Sequence, residues 1–448
     1  MELDKLTIVW GFVAFVCTYW LTKTIYNLFL HPLARFPGPR WAAGSYLHEF
    51  YYDMLQGGQY YKTVIQMHEK YGPLVRVNPD ELSFNDPFFY EKVYSAGGQK
   101  RNKSPTLTTI LPTSTIIGHL MFGSLAVDVI SHYAYGESFG DLDKPGFPCE
   151  LEQDVKGVLM TQHVRKFFPC INAFMVRLPA WLVVRISPSI ASYVDFEDRI
   201  TRYSKSALKE SQEEEGSIKP RTLFDALVSS KVPAPEKTLQ RLKDESTTIL
   251  FAGVDTTAQI LTCTMCYLIT YPDVLAKLRA ELQPYVNATW TQFEALPYLT
   301  AVINESLRYE CSFTNRFPRS LVESLAYKDM LIPAGTTIGA MPYLLNSHPD
   351  IFPDPYVFRP ERWIEAKARG EHLDKYLITF TKGSRACLGI NLAYAELYLT
   401  VAAMVQNFNL ELVDSSIENI TPDRDFGLAF DKDYKFGVNF RVAKILQE

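Results

Sequence analysis

The chain has little cysteine, no excess of positive charge and no internal repeat, and these lacks exclude several classes of protein. Its seven cysteines are few and scattered for 448 residues, which excludes a disulfide-rich secreted scaffold and fits a reducing compartment. A formal net charge of −5 gives no reason to expect nucleic-acid binding. With 47% hydrophobic and 21% charged residues, the composition is that of an ordinary globular protein.

The N-terminal segment lacks charge altogether between Leu6 and Thr22. A helix over those residues spans about 26 Å, and the apolar run that follows Lys23 brings it towards the roughly 30 Å of a bilayer core. The sequence therefore predicts a single transmembrane helix, with residues 1–30 as the membrane anchor. The alternative is a cleaved signal peptide, but no small-residue cleavage site is present and the bulky Tyr19 and Trp20 disfavour one.

The segment that follows the anchor carries basic residues and prolines. Lys23, Arg35 and Arg40 lie at or beyond the end of the apolar run, so the positive-inside rule places the rest of the chain in the cytosol. The prolines within residues 31–40 predict a stiff, extended hinge. The remaining residues 41–448 are expected to form one large domain.

One cysteine sits in a dense pattern just before an apolar helix. The pattern has five fixed positions, which are Phe380, Gly383, Arg385, Cys387 and Gly389. Backbone N–H groups at a helix N-terminus favour negative charge, so the thiol is expected to ionise more easily than a free one. A thiolate held in this way suits a metal ion. A buried structural cysteine is the alternative, and the fixed offsets of the other four residues disfavour it.

A long helix is predicted from about residue 235 to residue 270, with an unusual polar centre. Gly253 and two threonines are poor choices for a helix interior. They make sense where a ligand approaches the backbone and where a hydroxyl faces a pocket. Asp255 and Thr256 form an acid–alcohol pair, and the threonine can also bond its own helix backbone. The alternative is a polar patch inside a buried helix.

A charged pair is expected on a helix from about residue 298 to residue 310. Glu305 and Arg308 are three residues apart, so they face the same side of that helix. The Glu-x-x-Arg pattern alone is weak. It gains weight because Arg362, within the Phe358–Trp363 segment, and the cysteine pattern follow in order.

Taken in this order, the motifs resemble those of the cytochrome P-450 monooxygenases, in particular fungal secondary-metabolism members of the trichodiene oxygenase type. The resemblance implies a mainly α fold with a small β region, the cytochrome P-450 fold, behind an N-terminal transmembrane helix. It also implies haem b as the cofactor, with Cys387 as the axial thiolate ligand of the iron.

The resemblance assigns further roles residue by residue. Thr256 would hold the hydrogen-bond network around dioxygen and Asp255 would deliver protons, whereas Ala252 and Gly253 would leave room for dioxygen and substrate. Arg319 and Arg385 would pair with the haem propionates, because buried carboxylates need cationic partners. The neighbouring Arg316 is expected at the surface and is left out of the site.

The remaining roles concern the support of the cofactor. Phe380, Gly383 and Gly389 would shape the haem-binding loop. Glu305, Arg308 and Arg362 would form a buried network that locks the loop in place without taking part in the chemistry.

The implied reaction inserts one oxygen atom of dioxygen into a lipophilic substrate, such as a terpenoid or another secondary metabolite. Electrons would come from a separate NADPH-cytochrome P-450 reductase in the same membrane. The alternative is a haem-binding or inactive membrane-tethered relative without monooxygenase activity.

The chain departs from the family in one stretch. No lysine or arginine occurs between Lys103 and Lys144, where the family carries a basic helix that grips a propionate. Roughly fifty residues are expected after Lys103 and are missing. A shortened working enzyme, a non-catalytic relative and an incomplete gene model all remain open.

Overall fold

A computed structural model of the chain falls into two compact units. The first comprises Met1–Thr108, Asn315–Leu345 and Thr381–Ala386, and the second comprises Thr109–Thr314, Asn346–Phe380 and Cys387–Glu448. The structure describes residues 5–94, 102–103, 118–144, 147, 149, 159–160, 162–170, 185, 200–206, 208–209, 222–228, 233–309, 313–433 and 437–446.

Helices make up most of the described residues. The α-helices are α1 Lys5–Ile25, α2 Arg40–Gly44, α3 Leu47–Phe50, α4 Tyr60–Tyr71, α5 Pro87–Tyr94, α6 Gly118–Tyr135, α7 Gln162–Phe167, α8 Leu223–Val228, α9 Leu239–Thr270, α10 Pro272–Leu282, α11 Trp290–Glu294, α12 Pro297–Tyr309, α13 Pro342–Asn346, α14 Glu361–Ala368 and α15 Ile390–Asn407. Two short π-helical segments, Tyr26–Leu30 and Tyr51–Leu55, extend α1 and α3.

The strands are short. They are β1 Leu74–Asn78, β2 Glu81–Phe84, β3 Asn102–Lys103, β4 Arg319–Ser320, β5 Leu325–Tyr327, β6 Met330–Ile332, β7 Thr337–Ala340, β8 Phe408–Leu412, β9 Arg424–Asp425, β10 Ala429–Phe430 and β11 Phe440–Ile445. The prediction of a mainly helical fold with small sheet regions is confirmed.

The first unit contains a five-stranded sheet in the order β1-β2-β7-β4-β3. Only β2 and β7 run parallel, and the other pairs are antiparallel. Strand β1 consists mostly of apolar residues and is buried along its whole length. Arg76, at its centre, is buried with them. The sheet fixes β4, which carries Arg319, between two hydrogen-bonded neighbours.

The proline-rich segment differs from the extended hinge that the sequence predicted. The amide of Ala34 donates to the carbonyl of His31 at 2.8 Å, which closes a turn around Pro32. Proline favours the second position of such turns because its φ is already set. Pro37 then accepts a hydrogen bond from the amide of Arg76 at 2.7 Å. The segment therefore turns and packs on β1.

The second unit is built around α9. Thr238 caps this helix by accepting a hydrogen bond from the amide of Arg241 at 3.2 Å. The helix begins a few residues later than predicted because a separate 3₁₀ turn forms at Ala234–Glu236. Helices α6, α12 and α15 pack against α9, and the C-terminal half of α9 forms the main core of the unit.

Among the described residues, α9 is the one helix whose length and composition would allow it to span a membrane. Its most apolar stretch is 78% buried inside the protein, so it is the central core helix. Helix α1 instead exposes large apolar side chains, among them Trp10 and Phe15.

Candidate active site

The loop around Cys387 is closed by its own backbone. The amide of Cys387 donates to the carbonyl of Phe380 at 2.9 Å, so the six residues between them form a closed loop. Gly383 has φ 76°, a left-handed conformation that glycine adopts without strain. It opens a single 3₁₀ turn, Gly383–Arg385. Gly389 is the N-cap residue of α15.

Cys387 itself is accessible, as are Leu388 and Gly389 beside it. A Cβ placed at Gly389 would meet no other protein atom within 4 Å. Packing against the protein therefore does not require a glycine there, although glycine is among the residues favoured at a helix N-cap. The thiol of Cys387 is therefore open to a bound group.

The expected ease of ionisation of Cys387 is wrong for the protein alone. Partial burial raises the pKa of the Cys387 thiol above its ordinary value, although a backbone hydrogen bond from Gly389 acts in the opposite direction. Helix α15 begins only at Ile390, so the thiol does not lie in its first turn. A coordinated metal ion would itself deprotonate the thiol.

The N-terminal half of α15 contacts the residue at which the loop begins and is also bonded to α12. The rings of Phe380 and Tyr394 lie 5.2 Å apart between centroids. The hydroxyl of Tyr394 donates to Oδ1 of Asn304 on α12 at 3.3 Å, and the hydroxyls of Tyr398 and Thr300 are 2.9 Å apart. Helices α12 and α15 are thereby joined next to the residue at which the loop begins.

The centre of α9 has an accessible strip within an otherwise enclosed stretch. Ala252, Gly253 and Thr256 keep accessible surface, whereas Asp255 and the residues around them are buried. Positions 252 and 256 are one turn apart and therefore face the same side. The hydroxyl of Thr256 donates to the carbonyl of Ala252 at 2.8 Å. The acid–alcohol pair thus combines an accessible hydroxyl with a buried carboxyl group.

Gly253 also has a packing role. A Cβ at this position would lie 2.9 Å from Cγ1 of Ile130 on α6, which is closer than real contacts allow. The close approach of α6 to α9 therefore accounts for a glycine here. The room for dioxygen that the sequence predicted at Gly253 stays a prediction.

The structure brings the three charged residues of the supporting network together, all of them buried. Glu305 accepts two guanidinium hydrogen bonds from Arg308, each 2.8 Å long, and one from Arg362 at 3.1 Å. Trp363 donates its indole N–H to the same carboxylate at 2.9 Å. Two guanidinium groups share one carboxylate, and backbone carbonyls accept their remaining hydrogen bonds.

Two residues that sequence reasoning missed connect this network to the loop. Nη1 of Arg308 donates to the carbonyl of Asn346 at 3.0 Å, and the side-chain amide of Asn346 donates to Thr379 at 3.2 Å. Thr379 in turn donates to the carbonyl of Leu307 at 2.7 Å and directly precedes Phe380. A lone asparagine and a lone threonine gave no pattern from which this role could have been found.

The first unit holds the two arginines proposed for the propionates. Arg319 is only 4% exposed, and its guanidinium lies over the ring of Tyr94, 5.0 Å from the ring centroid. Within the described part of the chain Arg319 forms no ion pair. Arg385 is exposed, and its carbonyl accepts a hydrogen bond from the hydroxyl of Thr381 at 3.1 Å. A buried cation without a carboxylate partner fits a bound anion.

The expectation that Arg316 lies at the surface is wrong. Arg316 is 6% exposed and forms ion pairs with Glu81 at 2.7 Å and with Glu49 at 2.9 Å. These two carboxylates hold the pKa of the Arg316 guanidinium well above its ordinary value despite burial. The residue belongs to the internal framework of the first unit.

Comparison with known proteins decides the family. The family model for cytochrome P450 matches residues 113–434. The chain is 32% identical to the conidiogenone synthase PchP450 of Penicillium rubens, over 97% of this chain and 98% of that protein. It is 34% identical to the cytochrome P450 monooxygenase TRI4 of Fusarium sporotrichioides, over 90% of this chain and 88% of that protein.

This chain belongs to the cytochrome P450 family. It is a haem-dependent monooxygenase, similar to fungal cytochrome P450 enzymes such as PchP450 and TRI4. Its cofactor is haem, with the thiolate of Cys387 as axial ligand. The accessible thiol of Cys387 in the second unit fits that group. In the first unit, buried Arg319, which forms no ion pair among the described residues, suits an anionic group.

The alignments also bear on the length of this cytochrome P450. The alignment with PchP450 has 489 positions, which exceeds the 448 residues of the whole chain by 41. At least that many residues of the relative therefore have no counterpart here. The predicted departure after Lys103 falls on Ser104–Thr115, which lies outside the described residues.

Proposed function

We propose that this cytochrome P450 oxygenates a terpenoid or a related lipophilic secondary metabolite. The observation that carries the proposal is the accessible strip of Ala252, Gly253 and Thr256 beside the buried Asp255. Apolar side chains of α6 and α9, such as Phe251 and Val254, cluster around that part of the helix. On the accessible strip itself, Ala252 and Gly253 add no polar side-chain atom, which suits a substrate with little polarity.

Each residue of the proposed site has a defined task. When bound, haem supplies the reductive activation of dioxygen, and the thiolate of Cys387 donates electron density to its iron. Thr256 holds a proton at Oγ1. Its hydroxyl can give up the hydrogen bond to the carbonyl of Ala252 and donate instead to a group bound beside the accessible strip. The carboxyl group of Asp255 passes protons towards that hydroxyl.

The arginines and the buried network hold the cofactor in place. Arg319 and Arg385 pair with the two propionates, because a guanidinium and a carboxylate form strong charge-assisted hydrogen bonds. Glu305, Arg308 and Arg362 keep the loop of Cys387 in one conformation. The contacts through Asn346 and Thr379 support this role because they reach the residue before Phe380.

Helix α1 is proposed as a membrane anchor in the endoplasmic reticulum, with the catalytic part in the cytosol. Its 21 residues span about 32 Å, enough for the roughly 30 Å core of a bilayer. Exposed Trp10, Phe15 and Tyr19 support the proposal. Microsomes that carry a C-terminally tagged protein test it: alkaline carbonate should not extract the protein, and protease should remove the tag without detergent. Release by carbonate would refute the anchor, and a protected tag would refute the orientation.

The enzyme is proposed to take its electrons from a separate NADPH-dependent reductase in the same membrane. Microsomes with and without the reductase should be given a panel of terpenoid substrates under ¹⁸O₂. The expected result is a product that contains one labelled oxygen atom and forms only with reductase and NADPH. Bound haem without any reductase-dependent product would favour the alternative, a haem-binding relative without monooxygenase activity.

The segment after Lys103 is proposed to be shortened, and the excess length of the alignments supports this. Sequencing the transcript between the codons for Lys103 and Gly123 tests whether the shortening is real. Additional codons there would show an incomplete gene model. An unchanged transcript, together with haem in the purified protein, would show a shortened enzyme that works with fewer propionate partners.

A further inference from the structure

A tyrosine hydroxyl is inserted between two strands of the five-stranded sheet. In the register of β4 and β7, Arg319 lies opposite Ile338, so Phe317 and Ala340 form the next pair on the same side. The amide of Phe317 donates directly to the carbonyl of Ala340 at 3.1 Å. The return hydrogen bond of an antiparallel pair would run from Ala340 to Phe317.

Tyr94 takes the place of that return bond. The amide of Ala340 donates to the Tyr94 hydroxyl at 3.0 Å, and the hydroxyl donates to the carbonyl of Phe317 at 2.6 Å. The hydroxyl therefore links the two strands in place of a direct return bond. It satisfies both the amide of Ala340 and the carbonyl of Phe317. Because Tyr94 is the last residue of α5 and is buried, this contact also fixes the end of that helix to the sheet.

The ring of the same tyrosine carries Arg319. The guanidinium carbon lies 5.0 Å from the centroid of the Tyr94 ring, within the range of a cation–π contact. Nη1 of Arg319 also donates a hydrogen bond to the carbonyl of Pro318 at 3.1 Å. Tyr94 thus contacts the backbone two residues before Arg319, at Phe317, and also the guanidinium of Arg319.

We propose that Tyr94 is a positioning residue that holds the guanidinium of Arg319 in place to receive a haem propionate. This inference rests on the role proposed above for Arg319. The hydroxyl fixes the ring to the two strands, and the ring fixes the plane and direction of the guanidinium. Preorganisation lowers the entropy that the arginine loses when it binds the anion.

The test is the rate at which haem leaves the purified holoenzyme for an excess of apomyoglobin, followed by absorbance. Arg319→Ala should raise this rate about tenfold or more, since hydrogen bonds to charged groups are the strong ones. Tyr94→Leu and Tyr94→Met should each raise it about fivefold, as expected for a desolvated cation–π contact. Either of these two variants suffices if the other does not fold.

A double-mutant cycle separates positioning from general destabilisation. In an Arg319→Ala background, loss of the ring should change the rate by less than about twofold, because Tyr94 acts through Arg319. Tyr94→Phe should lower the melting temperature of the protein and raise the haem-loss rate by less than Tyr94→Leu does, because the ring stays over the guanidinium but loses its hydrogen bonds to the two strands. Phe89→Leu is the control, because Phe89 lies on the same helix, is equally buried and packs on Tyr327.

The outcomes distinguish the inference from the function on which it rests. If Arg319→Ala leaves the rate unchanged, the propionate role of Arg319 and the inference are both wrong. If Arg319→Ala raises the rate while the ring-deleted variants do not, only the inference is wrong. It is also wrong if Tyr94→Phe is as fast as Tyr94→Leu, or if the effect of Tyr94→Leu persists undiminished without Arg319.

Discussion

Arg308 meets Glu305 through two parallel hydrogen bonds, from Nε to Oε2 and from Nη2 to Oε1, each 2.8 Å long. Both side chains are fully buried. The planar guanidinium matches the carboxylate at both oxygens, which is the strongest arrangement that such a pair can adopt. The pair lies one hydrogen bond away from Asn346, which contacts the segment leading into the cysteine loop.

Glu305→Ala and Arg308→Ala should each leave the purified protein without haem. Removal of one partner leaves a buried charge unpaired, which costs about 3–5 kcal/mol. The haem content per protein, measured by pyridine haemochromogen, checks this. Arg369→Ala is a matched control, because Arg369 and Glu371 form the same two-bond geometry at the surface. Normal haem in either buried variant would contradict the proposed support role.

Thr256→Ala should reduce product formed per NADPH consumed. The substitution removes the one accessible hydroxyl that bonds the carbonyl of Ala252, at the place proposed for proton delivery. The loss of one such hydrogen bond corresponds to about a fivefold to tenfold drop. Thr256→Ser, which keeps the hydroxyl, should retain most of the coupling. Equal coupling in the alanine variant and the wild type would show that Thr256 has no such role.

Glu396→Gln should remove a pH dependence of stability. Burial raises the pKa of the Glu396 carboxyl to about 8, and no described residue forms a hydrogen bond with its Oε2. In the unfolded chain the group ionises near its ordinary pKa, so the folded protein loses stability as pH rises from that value to about 8.

The stability advantage of the Glu396→Gln variant should therefore grow by about 1.4 kcal/mol per pH unit between about pH 5.5 and 7.5. Urea unfolding of both proteins across this range measures the difference. Glu418→Gln, at an exposed position, serves as control and should show no such trend. A constant difference at every pH would mean that Glu396 titrates normally in the folded protein.

The parts of the site that the sequence predicted are those whose residues are neighbours along the chain. The five fixed positions from Phe380 to Gly389 describe one loop, and Glu305 and Arg308 are one helical turn apart. Asp255 and Thr256 adjoin on a single helix. In each case the local geometry of a turn or a helix determines which side chains meet, so spacing alone carries the information.

The parts that could not be predicted depend on contacts between distant segments. Arg316 meets Glu81 and Glu49 across 235 and 267 residues of chain, and nothing near Arg316 indicates those partners. Tyr94 contacts Phe317 from 223 residues away. The pKa of Cys387 likewise depends on how the folded chain encloses the thiol. Only the three-dimensional arrangement reveals such relationships.

The central claim is that Cys387 binds haem iron as a thiolate. The carbon monoxide difference spectrum of the reduced, purified protein tests it most directly. The account predicts a Soret band at the long wavelength typical of thiolate-ligated haem, and its complete loss in Cys387→Ser. Cys263→Ser, a change at a buried cysteine of the core, should keep the band. A thiolate-type band that persists in Cys387→Ser, or no such band in the wild type, would contradict the account.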